Sequence, residues 1–156
     1  MALTERKKLG MLLPPPILLF ALVALTLVGH LLLFGSFSFS LPRTFLGLAV
    51  IVCSIVLVVL SGREFKKAGT PFRPVSPATT VVNSGPYRFS RNPMYVGMAS
   101  LLAGLGLLLG SYVFVAALLL FLAIVHFGVV LPEERYLESL QGEAFGQYKR
   151  SVRRWL

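Results

Sequence analysis

Two short segments of the sequence carry the residue types that could bind a charged small molecule. The first, residues 85–97 (GPYRFSRNPMYVG), places arginines, tyrosines and prolines directly before an apolar run. The second begins where another apolar run ends, with adjacent carboxylates at Glu133 and Glu134. Tyrosine rings and carboxylates attract cations, whereas arginines suit carboxylates and phosphates. This pattern indicates a binding site, although tyrosine and arginine beside an apolar run are also typical of a helix anchor at the lipid headgroups.

Prolines fix the backbone of the first segment. Pro86 and Pro93 each set their own φ angle and push the preceding residue out of the α region. We therefore expect the helix to begin only at Pro93, with Asn92 as its N-cap. The backbone N–H groups of this first turn have no partner within the helix and would face water.

The adjacent carboxylates are costly at the edge of a membrane unless a cation pairs with them. The available cations are Arg88, Arg91 and the arginines of the C-terminal tail, or a positively charged ligand. A solvated helix start, with the acids favoured by the helix dipole, is the alternative. His126 precedes Glu133 by two turns of an α-helix, so we expect both residues on one face.

Apolar helices must position these residues. Of the 156 residues, 56% are hydrophobic and 13% charged, which predicts an all-α integral membrane protein with a single membrane domain over residues 1–156. Four transmembrane helices are predicted, at residues 14–34, 44–60, 93–109 and 112–131. Residues 1–62 hold the first two. Residues 63–156 form the catalytic part, with a long loop, a tight hairpin of spans three and four, and a C-terminal interfacial helix within residues 142–156.

The distribution of lysine and arginine predicts the orientation. Of the fifteen, only Arg43 lies in the loop between spans one and two. By the positive-inside rule, both termini and the active site are cytoplasmic, in the inner membrane if the source is bacterial. The net charge is +9, but the basic residues lie next to hydrophobic spans, where the positive-inside rule and anionic lipid explain them, so we expect no nucleic-acid partner. A single cysteine offers no cysteine-based metal site, and we expect no metal.

The order of these motifs resembles the isoprenylcysteine carboxyl methyltransferase family, which includes phospholipid methyltransferases of similar architecture. The resemblance lies in residues 84–87 (SGPY), 91–97 (RNPMYVG), Glu133-Glu134, and a closing pattern of Gly142-Glu143, Phe145, Tyr148, Val152 and Arg154-Trp155. It implies a membrane enzyme that uses S-adenosylmethionine and methylates a lipophilic acceptor drawn from the membrane lipid.

The resemblance also implies which residues bind the methyl donor: Thr79, Thr80, Val81, Val82, Tyr87, Asn92, Pro93, Met94, Tyr95 and Glu133. The candidate catalytic residues are Arg91, Glu134 and His126, the last as a base. Two positions depart from the family pattern. Asn92 stands where many members have histidine, and Val129 stands where an arginine handles the prenylcysteine carboxylate. The second departure favours a neutral amine, thiol or hydroxyl as the acceptor.

Two other functions stay open. A membrane reductase of the steroid-reductase type resembles this family in its tail and would use NADPH. A non-enzymatic transporter or assembly protein is the third possibility, although no acidic residue lies within the middle of a predicted span. A soluble methyltransferase of the Rossmann type is excluded, because no glycine-rich fingerprint follows a strand.

Overall fold

The computed structural model describes residues 14–68 and 82–156. Six α-helices follow one another along this part of the chain: α1 (Pro15–Phe34), α2 (Leu41–Lys67), α3 (Pro93–Leu109), α4 (Val113–Val125), α5 (Leu131–Gln141) and α6 (Glu143–Ser151). A 3-10 turn at Gly85–Arg88 precedes α3, and a π-helical turn at His126–Val130 joins α4 to α5. The predicted all-α class is confirmed for the described residues.

Three helices are long and apolar enough to cross a membrane. They are Pro15–Phe34, Leu41–Lys67 and the continuous stretch Val113–Gln141 that α4, the π-helical turn and α5 form together. The remaining apolar helix, α3, has 17 residues and is shorter than these. Three such helices indicate an integral membrane protein. A fourth crossing by α3, the cytoplasmic orientation and the interfacial position of the tail stay predictions.

The observed bounds differ from the predicted spans mainly in α2. α1 and α3 begin and end close to the predicted residues, and prolines occupy the first turn of both. By contrast, α2 runs on to Lys67, well beyond the predicted end at Leu60. The added residues, Arg63 to Lys67, are polar, but arginine, glutamate and lysine are good helix formers. A span predicted from hydropathy stops where the helix leaves the apolar region, whereas the helix itself continues.

α3 lies at the centre of the bundle. α2 packs along one side of it, and α1 and α4 pack against other sides. Glycines allow the close approach of α2 and α3: a Cβ atom at Gly47 would lie 2.5 Å from the backbone N of Leu108, and one at Gly104 would lie 2.8 Å from Ile51. Small residues at such positions let helix backbones meet in a membrane. Gly104 therefore has a packing role.

The main core forms where α1, α3 and α4 meet. Leu102, Phe114 and Phe121 are fully buried there. The outward side chains of α1 and α2, such as Phe20 and Phe45, are largely exposed. Lipid-facing helices of a membrane protein have this distribution, because lipid tails solvate apolar side chains.

A buried polar cluster closes the end of the bundle opposite to the start of α3. The hydroxyl of Ser111 donates to Nδ1 of His30 (2.8 Å), while Nε2 of His30 donates to the carbonyl of Ser36 (3.0 Å). The ring of His30 also stacks on Phe37, with centroids 4.5 Å apart. His30 therefore joins the end of α1 to the hairpin turn, which is a packing role.

Candidate functional site

The candidate site lies at the start of α3, where the 3-10 turn, α5 and the C-terminal tail meet. α3 begins at Pro93 and Asn92 occupies the N-cap position, both as predicted. The side chain of Asn92, however, does not cap the helix. Its Nδ2 donates instead to the carbonyl of Arg154, at 2.9 Å. Capping by this side chain was a wrong expectation, because a contact with the distant tail takes its amide group.

The two adjacent glutamates have different surroundings. Glu134 is only 6% exposed and is bound by two arginines. Arg91 Nη1 lies 2.8 Å from its Oε1, and Arg154 Nη2 lies 2.9 Å from its Oε2. Glu133 makes no ion pair within residues 14–68 and 82–156; its hydrogen bond comes from Tyr95 Oη, at 3.3 Å. A half-buried carboxylate without a cation is an attractive partner for a positively charged ligand.

These pairs decide which of the predicted cations act on the carboxylates. Of the cations that the sequence offered, Arg91 and Arg154 of the tail pair with Glu134, so this glutamate is not a solvated helix start. Arg88 is exposed and forms no ion pair in the described part of the chain. Within the described residues, both arginines that reach these carboxylates pair with Glu134, and none pairs with Glu133.

One N–H group of the Arg91 side chain is not used by Glu134. Its side chain is only 10% exposed, and its Nε finds no hydrogen-bond acceptor among the described residues. A buried guanidinium N–H without a partner is costly, so an acceptor at this position would be bound favourably. Arg91 can therefore hold Glu134 and still offer a hydrogen bond to an anionic group.

Two tyrosines form the wall beside these charged groups. Tyr87 is buried, and its ring meets Phe65 edge-on with centroids 5.2 Å apart. Burial, followed by the nearby charge of Glu133, raises the pKa of Tyr87, so its hydroxyl stays neutral. The hydroxyl of Tyr148 donates to the carbonyl of Tyr87 (2.8 Å), and burial raises the pKa of Tyr148 to about 12.

The tail reaches this site through residues 152–156, which we call the C-terminal strap. The backbone N–H of Arg91 donates to the carbonyl of Arg153 (2.9 Å), and Trp155 Nε1 donates to His126 Nδ1 (3.3 Å). The tail and the segment before α3 therefore meet in the fold. Sequence reasoning assigned no site role to Arg154 or Trp155, although both belong to the closing pattern that carried the resemblance.

His126 lies in the π-helical turn, so the uninterrupted α-helix assumed between it and Glu133 is wrong. A π turn holds about one more residue than an α turn, which rotates the following residues by roughly 100°. The indole N–H of Trp155 is a donor only, so Nδ1 of neutral His126 accepts and Nε2 carries the hydrogen. A role as base therefore requires Trp155 to release Nδ1, and it stays a prediction.

The other predicted donor-binding residues fall into two groups. Thr79, Thr80 and Val81 lie outside the described residues, while Val82 is half-buried. Pro93 and Met94 are buried, and Met94 belongs to the main core. Of these two residues, only the backbone N–H of Met94 is therefore suited to a ligand, because proline has no N–H. Val129, which replaces the family arginine, is 3% exposed and lies among core residues.

No metal centre forms in the described ranges, where no three His, Cys, Asp or Glu side chains come together.

An open cleft of about 600 Å³ lies between the 3-10 turn and α6, and it is lined by Asn83, Arg88, Ala144, Gln147, Tyr148, Ser151 and Val152. Neither Glu133 nor Tyr95 contributes to this cleft. The groups with unmet charge or hydrogen-bonding capacity, Glu133 and Arg91, suit a ligand that carries both a positive and a negative group.

Comparison with known proteins finds a family model that this chain matches. Residues 42–144 match the family model of phospholipid methyltransferase. The chain is also 33% identical over 63 residues to an uncharacterized protein of Haemophilus influenzae, a match that covers 40% of this chain and all of that protein. No solved structure matches the chain significantly. The matched range contains the 3-10 turn, α3 and both glutamates, whereas the C-terminal strap lies beyond it.

Proposed function

The chain belongs to the phospholipid methyltransferase family, a family of membrane methyltransferases, and from this premise we propose that it methylates a lipophilic acceptor with S-adenosylmethionine at the cytoplasmic face of the membrane. The family supports the reaction class and a lipid-type acceptor. The observation that carries the proposal is the contrast between the two glutamates: Glu134 is bound by two arginines, and Glu133 has no cation among the described residues.

The residues present fit the proposed donor, which carries a sulfonium, an amino group and a carboxylate. Glu133 would bind its amino group or ribose hydroxyls, and the free Nε of Arg91 would bind its carboxylate. The rings of Tyr87 and Tyr95 offer faces that attract a cation. Backbone N–H groups of the first turn after Asn92 are further partners for the carboxylate. Thr79, Thr80, Val81 and Val82 would complete this set.

When bound, S-adenosylmethionine supplies a methyl group on a positively charged sulfur, and the electrons of the broken C–S bond stay with that sulfur. The protein's task is to align the acceptor with this group and to exclude water. Buried Tyr87, Tyr148 and Phe145 provide an apolar wall on the side of the tail. Glu134 contributes by holding Arg91 in place, at 2.8 Å.

The acceptor we propose is a neutral lipid-like amine, thiol or hydroxyl. Val129 is buried in the core where a carboxylate acceptor would need an arginine. Bringing an unpaired carboxylate into a low-dielectric site costs several kcal/mol, so a neutral acceptor is favoured. His126 is the candidate base that takes the acceptor's proton, provided that Trp155 releases its Nδ1.

The test is calorimetric titration of the detergent-purified protein with three ligands: S-adenosylmethionine, S-adenosylhomocysteine and NADPH. We expect both adenosyl compounds to bind and NADPH not to bind. Binding of NADPH alone would replace the proposal with a membrane reductase. Binding of none of the three would support a non-enzymatic transporter or assembly protein.

A further inference from the structure

The C-terminal strap holds the residues that precede α3. The N–H of Arg91 donates to the carbonyl of Arg153, and the side-chain amide of Asn92 donates to the carbonyl of Arg154, both at 2.9 Å. Two consecutive residues are therefore bound to two consecutive carbonyls of the strap. A parallel bridge between Ser90 and Arg153 extends this contact by one residue. The strap thus holds the residues directly before α3 in place.

Arg154 also connects the strap to the first turn of α5. Its Nε lies 3.1 Å from Glu134 Oε1 and its Nη2 lies 2.9 Å from Oε2, so the planar guanidinium meets both carboxylate oxygens. The hydrogen bonds to Glu134 raise the pKa of Arg154, which therefore stays charged. Arg91 approaches the same carboxylate from the start of α3. Glu134 is held between the two.

The contacts of Glu134 also restrain its neighbour, Glu133. α5 carries both acids, so fixing the side chain of Glu134 also restrains the backbone of Glu133. The partner of Glu133 is Tyr95, in the first turn of the helix whose start the strap holds. Both sides of the Tyr95–Glu133 pair are therefore restrained by contacts that include Arg154. Because Glu134 is already neutralised by two arginines, a cation entering the site gains most from Glu133.

We propose that Arg154 is a positioning residue of the methyl-donor site, which holds the C-terminal strap closed against α5 and keeps Glu133 opposite Tyr95. The proposal rests on the proposed function and deepens it. It adds a residue beyond the range matched by the family, which ends at residue 144.

Trp155 provides a readout that does not depend on activity. It is the only tryptophan in the chain, it is half-buried against the main core, and its Nε1 donates to His126 Nδ1. The intrinsic tryptophan fluorescence therefore reports the position of the strap alone. If Arg154 holds the strap closed, its removal exposes Trp155 to a small neutral quencher such as acrylamide, even without a donor.

The experiment compares wild type with Arg154→Ala, Arg154→Lys and Arg153→Ala, all purified in the same detergent. Arg153→Ala is the matched control, because it removes the same charge one residue earlier, where the side chain is exposed and the strap uses only the backbone carbonyl. We expect Arg154→Ala to increase acrylamide quenching of Trp155 and to weaken binding of S-adenosylhomocysteine roughly tenfold or more. Arg154→Lys should fall between, since lysine keeps the charge but lacks the fork.

Wild-type quenching and affinity in Arg154→Ala would overturn the proposal, and so would an equal loss in Arg153→Ala. If the wild type binds no donor, the proposed function fails, but the quenching comparison still decides whether Arg154 holds the strap. If Arg154→Ala does not fold, Arg154→Gln replaces it, because glutamine keeps a polar side chain and removes the charge.

Discussion

Tyr95 donates a hydrogen bond to Glu133 across 3.3 Å, although the two residues lie 38 positions apart in the sequence. One belongs to the first turn of α3 and the other to the first turn of α5. The contact brings together the two segments that the sequence indicated as a binding site, residues 85–97 and the adjacent glutamates. Among the described residues Glu133 makes no ion pair, whereas Glu134 pairs with both Arg91 and Arg154.

The doubly paired glutamate should matter most for stability. Glu134→Gln removes the charge that Arg91 and Arg154 share, and leaves the buried guanidinium of Arg91 without a counterion. We expect a loss of about 2–3 kcal/mol in the free energy of unfolding, less than for a fully buried pair because Arg154 is partly exposed. Thermal unfolding followed by circular dichroism measures it.

Glu143→Gln is the control for this change. Its pair with Arg150 lies on α6 with both side chains mostly exposed, so the loss should stay within about 0.5 kcal/mol. Equal effects of the two substitutions would show that the burial of Glu134 contributes nothing.

The stability of the protein should fall at alkaline pH because of Tyr148. Its pKa rises from the ordinary value of 10.0 to about 12 on folding, so the folded state keeps a proton that the unfolded state loses. The stabilisation is complete below pH 10 and is lost as the pH rises through 12. Tyr148→Phe should show a shallower fall in melting temperature than wild type does between pH 10 and about 12. Identical slopes would contradict the prediction.

The contact of α2 with α3 depends on Gly104. A Cβ atom there would lie 2.8 Å from Ile51 and 3.2 Å from the carbonyl of Gly47. Gly104→Ala should therefore destabilise the bundle by about 1–3 kcal/mol, as overpacking does. Gly146→Ala is the matched change in α6, where the nearest atom is 3.8 Å away. Alanine should stabilise that helix by about 0.5–1 kcal/mol, and a similar loss at both positions would refute the packing argument.

The acceptor prediction is tested by methyl transfer to three classes of lipid: a prenylcysteine analogue, an amino-phospholipid and an apolar thiol. We expect the wild type to methylate the amine or the thiol and not the prenylcysteine carboxylate, because buried Val129 offers no cation. Efficient methylation of the carboxylate would contradict this. Full activity of His126→Ala on every acceptor would show that His126 is not the base, and would leave the proposed acceptor class unchanged.

Hydropathy and motif order predicted much of this molecule. The bounds of α1 and α3 follow from apolar length and from prolines in their first turns, both of which are local properties. The family resemblance drawn from the motifs is confirmed by the match over residues 42–144. The polar end of α2 was missed because apolar length does not detect a helix that continues into polar sequence.

The features that sequence reasoning missed depend on tertiary contacts. Asn92 has the type and position of a capping residue, but the carbonyl of Arg154 takes its amide. The difference between Glu133 and Glu134 arises from where two distant arginines arrive, and no local pattern contains that information. The π-helical turn that separates His126 from Glu133 was also missed.

Donor binding by Glu133→Gln tests the account most directly. The substitution keeps the size of the side chain and removes the charge, which costs about 1.5–3 kcal/mol for a charge-assisted hydrogen bond, or roughly ten- to hundred-fold in affinity. Glu138→Gln is the matched control, because Glu138 lies on the same helix and pairs with Lys149 at the surface. In calorimetric titrations with S-adenosylmethionine, we predict weakened binding by Glu133→Gln and wild-type binding by Glu138→Gln. Unchanged affinity in both Glu133→Gln and Tyr87→Phe would place the donor elsewhere and contradict the account.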